Sequence, residues 1–260
     1  MPAPTNTFKA ALKEGKTVLG AWLSLGTTLS SEIMGTAGYD WLLVDGEHAP
    51  YDITAVRDCL IALETSASSA TVRVPVGETW MMKQILDAGA QTILVPMVES
   101  KEQAAQLVRD VRFPPLGDRG VGYSSARASR FGEIADYGAN ASDEICLLVQ
   151  VENRKGMAAL DDILALDGID GVFVGPAELA ADLGQLGDLM HPNVQATIKD
   201  LLGRIAASDK AAGILTTRDD MTAASIEAGA QFVAIAHDIP LLRNAAKAEC
   251  AKWRERLGMT

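Results

Sequence analysis

Histidine and cysteine are scarce: three of each in 260 residues, with Cys59, Cys146 and Cys250 far apart and in no metal-ligand spacing. That excludes a zinc centre of the cysteine-rich kind, and an odd number of separated thiols argues for reduced cysteines in the core rather than a disulfide framework. No run approaches the ~20 apolar residues of a membrane span, and the opening MPAPTNTFKAALKEGKTVLG lacks a basic segment followed by an apolar core. A soluble cytoplasmic protein is therefore expected. Positive charge is also short, with 23 Lys and Arg against 34 Asp and Glu and a net charge of -11. Nucleic acid and anionic membrane would be repelled. The expected partners are small molecules and further copies of the chain.

What the chain does have is 48% hydrophobic residues, enough for one large core, so residues 1–260 are expected to form a single domain. Eight short apolar runs recur: 20–25, 41–45, 71–75, 92–98, 145–152, 171–175, 212–217 and 232–237. Near-continuous apolar strands of this kind predict a parallel sheet covered on its outside. Between and after them lie segments with helical character: 30–37, 53–64, 79–88, 101–111, 155–166, 192–207, 218–228 and 241–257. Met82, Ile85 and Leu86 give the third a buried stripe. Eight strand–helix pairs in this length predict an α/β fold of the (β/α)8 TIM-barrel type. An open doubly wound sheet is the alternative, but no Gly-rich nucleotide fingerprint follows the first strand. Residues 112–144 form a long connection without evident structure, carrying Arg119, Arg127 and Arg130, and read as a functional or interface segment.

In such a barrel the C-terminal strand ends build the site. Strand two ends in Asp45, Glu47 and His48, and strand three holds Arg73. Strand five ends in Gln150 and Glu152, which alternation points to one face, and strand six runs into Pro176, Ala177 and Glu178. Glu152 and Glu178 are thus expected to converge at the mouth, where hard oxygen donors favour Mg2+ or Mn2+ in an open site. The plainer reading is that these acids cap the helices that follow. His48 equally fits an exposed loop before Pro50. His191 precedes a helix, and His237 closes strand eight without a sequence partner. Arg73 inside TVRVP needs a carboxylate or an anion to offset burial of its charge. None of the ten lysines sits inside a strand, so carbonyl chemistry here points to a metal rather than a Schiff base.

The runs WLLVDGEHAP, VRVP, KQILDAGAQTILVPMVES, RFPP with RGVG and ARASR, LVQVE and DGVFVGPAELA resemble the metal-dependent 4-hydroxy-2-oxoheptanedioate aldolase family, which also holds 2-keto-3-deoxyglucarate and deoxyrhamnonate aldolases. The similarity spans about residues 18–240. It implies a pyruvate-type class II aldolase, a carbon–carbon lyase that reversibly cleaves 4-hydroxy-2-keto acids to pyruvate or a related 2-keto acid and an aldehyde. It further implies a homohexamer with helix exchange between paired subunits, and a divalent metal, Mg2+ or Mn2+, with Co2+ as a further candidate. Position by position, His48 matches the catalytic base, Arg73 the enolate-stabilising residue, and Glu152 and Glu178 the metal ligands. Gln150, the Ala177 backbone and Glu178 match substrate contacts. Asp87 matches an acid that a neighbouring subunit supplies to orient the histidine.

One departure stands out: the family pattern carries Asp where this chain has Glu178. The longer side chain must fold back or displace a cation by something on the order of an ångström. Competing expectations are a 2-keto acid decarboxylase of the oxaloacetate type and a non-catalytic metabolite-binding barrel. A CoA-ester lyase is a weaker competitor, since no adenine or pantetheine groove signature is evident.

Overall fold

The computed structural model describes residues 3–259. Eight parallel strands close into a barrel in chain order: β1 (Val18–Leu23), β2 (Trp41–Asp45), β3 (Ser69–Arg73), β4 (Thr92–Val95), β5 (Cys146–Val151), β6 (Gly171–Val174), β7 (Ala211–Leu215) and β8 (Ala230–His237). Every expected run became a strand. The helices are α1 (Thr7–Lys13), α2 (Thr28–Gly35), α3 (Ile53–Leu63), α4 (Thr79–Asp87), α5 (Lys101–Asp110), α6 (Tyr137–Glu144), α7 (Arg154–Leu164), α8 (Pro176–Asp182), α9 (Pro192–Ala206), α10 (Asp219–Glu227) and α11 (Asp238–Arg256). Three of these, α1, α6 and α8, go beyond the expected eight.

Two apolar layers result from strand alternation. One faces outward under the helices, with Leu42, Val44, Val72, Ile93 and Val149. The other fills the barrel with Trp22, Trp41, Leu43, Leu94, Leu148, Phe173 and Phe232. Gly20 and Gly213 are sites of close approach, because a Cβ on either would overlap the rings of Trp41 and Phe232 respectively. Helix α1 closes the N-terminal end, inserting Phe8 edge-on to Phe232 with ring centroids 5.9 Å apart. Asn6 caps that helix and also ties it to the Gln91 and Glu144 carbonyls.

The 112–144 connection carries two 3-10 turns and α6, so it has structure of its own. Its arginines bind within the chain: Arg119 to Asp87, and Arg127 and Arg130 to Glu64. The cysteine expectation holds for Cys59 and Cys146, which are buried, and fails for Cys250, which is exposed on α11. That helix is unusual as a whole. Residues 241–259 are all exposed, and Asp238 is its one buried residue. Leu19 on the outer face of β1, Leu29 and Ile33 on α2, and Ile226 on α10 are exposed as well. Among the described residues, no helix is long and apolar enough to cross a membrane.

Candidate active site

The site forms where strands β2 to β6 end. Asp45 is the last residue of β2 and pairs in register with Arg73, the last of β3, so both side chains project to the same side of the sheet. Arg73 Nε and Nη2 each donate to the Asp45 carboxylate at 2.8 Å, and Nη1 lies 2.9 Å from Glu47 Oε2. The guanidinium also stands over the Trp22 ring, 5.4 Å from its centroid. Asp45 Oδ1 accepts the amides of Glu47 and His48, which folds the chain back after Gly46. Burial works to raise the Asp45 pKa, but the hydrogen bonds and charge of Arg73 outweigh it and hold the carboxyl below its usual range. Burial raises Glu47, with the Arg73 and His48 charges opposing.

Gln150 near the end of β5 and Glu152 just after it point inward together, and each is 1% exposed. Glu152 Oε1 accepts the Met97 amide at 2.8 Å, and Oε2 accepts from Gln150 Nε2. Met97 has φ +54, a left-handed conformation rare for a side chain of its size and costing roughly 1–3 kcal/mol. That strain aims the Met97 amide at the carboxylate. Burial pushes Glu152 up to about 7 despite those hydrogen bonds, and the nearby charges of Glu178 and Glu47 add to the rise. Gly175, following β6, leaves room for this carboxylate; a Cβ there would lie 2.5 Å from Glu152 Oε2.

Pro176 opens α8, placing Ala177 and Glu178 in its first turn, where amides have no helical carbonyl to bind. Glu178 Oε1 lies 3.7 Å from His48 Nε2, which is also 3.8 Å from Glu47 Oε2. The imidazole is thus held between two acids at the solvent-open rim. His48, Arg73, Gln150, Glu152, Ala177 and Glu178 occupy one mouth, as the strand-end reading required.

A sequence profile of the HpcH/HpaI aldolase/citrate lyase family matches residues 18–245. The chain belongs to that family. A hydroxypyruvate/pyruvate aldolase of Roseobacter denitrificans is 59% identical over 255 residues, covering 98% of this chain and 100% of the relative. A 4-hydroxy-2-oxo-heptane-1,7-dioate aldolase of Escherichia coli is 46% identical over 248 residues, 95% of each chain. The solved structure of a family protein from Burkholderia cenocepacia J2315 superposes with a TM-score of 0.93 at 38% identity, covering 96% of this chain and 100% of that one. The chain is accordingly an aldolase, a carbon–carbon lyase on a TIM barrel.

For an aldolase of this family the donors fit a hard divalent cation. Glu152 and Glu178 would supply carboxylate oxygens to such an ion, and the buried Gln150 Oε1 has no partner in its surroundings. Among the described residues no group of three or more His, Cys, Asp and Glu is placed to hold a metal ion, so a cation here would rest on fewer protein ligands. Two carboxylates would leave coordination positions for substrate and water.

Asp87 does not join the group. It ends α4, and because barrel helices run opposite to the strands, it lies at the other end of the barrel from His48. There Arg119 Nη2 donates to it at 3.1 Å. Arg119 is fully buried, stacks on Phe113 at 4.4 Å, and leaves Nε and Nη1 without partners. Two further contributors, the Met97 amide and Asp45 as the holder of Arg73, had no assigned role in the sequence reading. The run DGEH was the available signal for Asp45; nothing in the sequence marks Met97.

Proposed function

We propose that this chain is a class II pyruvate aldolase that reversibly cleaves 4-hydroxy-2-keto acids to pyruvate, or a related 2-keto acid, and an aldehyde, with Glu152 and Glu178 as the metal ligands. The observation that carries the reading is the common mouth shared by a half-exposed imidazole, a buried guanidinium and two carboxylates. When bound, a divalent cation of the Mg2+, Mn2+ or Co2+ kind supplies Lewis-acid polarisation of the keto acid carbonyl. The protein's own groups do the rest. His48 Nε2, at the rim and clear of backbone bonds, takes the methyl proton of the keto acid in the synthetic direction. Arg73, locked by Asp45, presents a guanidinium that needs no reorganisation as charge builds on the enolate oxygen. Gln150 Oε1 and the Ala177 amide are available to position the substrate. Glu47, facing both Arg73 and His48, keeps the imidazole turned toward the mouth.

The same proposal extends to assembly. Helix α11 stands off its own barrel, and the outer face of β1 with its neighbours α2 and α10 leaves Leu19, Leu29, Ile33 and Ile226 uncovered. Exchange of α11 between paired subunits covers such a face, and a homohexamer built from these pairs brings Asp87 of one subunit toward the His48 of another. A cytoplasmic setting belongs to this proposal too. The deciding experiment is exchange of pyruvate methyl protons in deuterated water, with and without EDTA. Metal-dependent exchange that His48→Ala abolishes is expected; exchange that persists in that variant removes His48 as the base.

A further inference from the structure

The first turn of α5 reaches back into the loop that supports Glu152. Ser100 is the N-cap of this helix and accepts the amide of Gln103 at 3.1 Å. In that capping pattern a glutamine three residues on returns its side chain to the amide of the cap residue itself. Gln103 goes further. Its Oε1 accepts the Glu99 amide at 2.8 Å and its Nε2 donates to the Met97 carbonyl at 3.2 Å, so both ends of one side-chain amide engage the loop after β4.

All three successive amides of that loop are taken. Met97 donates to Glu152 Oε1 at 2.8 Å, Val98 to the Gln150 carbonyl at 3.1 Å, and Glu99 to Gln103. Two neighbouring amides thus face the end of β5, the concave arrangement that a left-handed residue creates and that suits a carboxylate. Met97 is that residue, at φ +54. A methionine does not hold this conformation unaided, because its Cβ crowds the following carbonyl oxygen, and bonds from the surroundings must over-determine it. Glu152 holds the peptide before Met97; Gln103 holds the carbonyl after it. From the other side Asn153, next to Glu152, donates to Glu99 Oε1 at 2.8 Å, and Lys155 Nζ lies 3.0 Å from Oε2.

We propose that Gln103 is a positioning residue for the metal site: by clasping the loop on both sides of Val98 it keeps Met97 left-handed and its amide on Glu152, which fixes the rotation of that carboxylate before a cation arrives. A glutamine serving α5 alone would need its Oε1 for an amide and would leave Nε2 to solvent. The inference rests on the reading of Glu152 as a metal ligand and adds a residue to which that reading gives no part.

Binding of Mn2+ to the metal-free enzyme, read by titration calorimetry, tests the clasp without reference to turnover. Gln103→Ala is expected to weaken Mn2+ about tenfold, the scale for removing a group that orients a ligand. Gln103→Met, close in length and without the donor, repeats the measurement if alanine loosens α5. Met97→Gly tests the route, since glycine occupies the left-handed region without strain; in that background Gln103→Ala is expected to cost about threefold or less. A helix-capping role alone predicts equal losses in the two backgrounds, and that result overturns the proposal. So does a crystal structure of Gln103→Ala in which Met97 keeps its positive φ and its bond to Glu152. Wild-type protein that binds no Mn2+ loses the metal reading and this inference with it, whereas wild-type binding that Gln103→Ala leaves unchanged removes the inference alone.

Discussion

Asp45 and Arg73 form a two-pronged ion pair, both contacts at 2.8 Å, across the register-matched ends of β2 and β3. The geometry fixes the guanidinium plane and at the same time anchors the turn that carries His48. Asp45→Asn keeps the shape and removes the charge, so it is expected to lower exchange and aldol rates by roughly 10- to 100-fold. Asp45→Ala also strips the buried guanidinium of its two-pronged partner, leaving Glu47 at 2.9 Å as its remaining contact, and is expected to cost up to about 3 kcal/mol of stability. Thermal denaturation beside exchange kinetics separates the two. An asparagine variant with wild-type rates would mean that Arg73 needs no holder.

The buried carboxyl of Glu152 titrates near 7, against an ordinary value of 4.5. Between those values the folded metal-free protein keeps a proton that the unfolded chain has released. Stability must then fall as pH rises from about 4.5 to 7, by at most about 3 kcal/mol. A cation binds the ionised form, so saturating Mg2+ or Mn2+ is expected to oppose that decline. Melting curves in EDTA across this window should slope downward for wild type and be flatter for Glu152→Gln. Parallel curves for the two proteins would assign the slope to other groups.

Gly175 gives Glu152 its space, and a methyl group in its place would sit 2.5 Å from Oε2 and 3.0 Å from Gln150 Nε2. Gly175→Ala is expected to displace the carboxylate and weaken Mn2+ binding by tenfold or more, with an overpacking cost of about 1–3 kcal/mol. Titration calorimetry with Mn2+ on the folded variant reads the first effect directly. Unchanged affinity would place the cation away from Glu152.

The strands were legible because each is a nearly unbroken apolar run, and the strand-end polar residues followed from them. The features that composition and periodicity do not reveal depend on contacts between distant segments. Helix α1 buries only Phe8 and Leu12, and α6 only Tyr137 and Ala141, too few for a visible stripe. The Asp45–Arg73 pair is a consequence of register, which periodicity does not reveal. The expectation of core cysteines rests on their odd number and wide spacing alone, which do not reveal that α11 stands off its own barrel and leaves Cys250 exposed.

Asp87 poses the sharpest question about assembly, since it ends α4 beside the buried Arg119 while His48 occupies the opposite rim. If it serves a neighbour's site, Asp87→Asn and His48→Ala damage different halves of a composite centre. Alone, Asp87→Asn is expected to lose roughly 10- to 100-fold in rate and His48→Ala to abolish it. Unfolded and refolded together, the two should regain activity, because some sites then combine an intact His48 from one subunit with an intact Asp87 from another. Random pairing gives roughly a quarter of the sites this composition. A role within one chain predicts no recovery, since every chain then carries one defect. Mixing without recovery, once heteromers are verified by mass spectrometry, would remove Asp87 from the shared site and leave its pairing with Arg119 as structural.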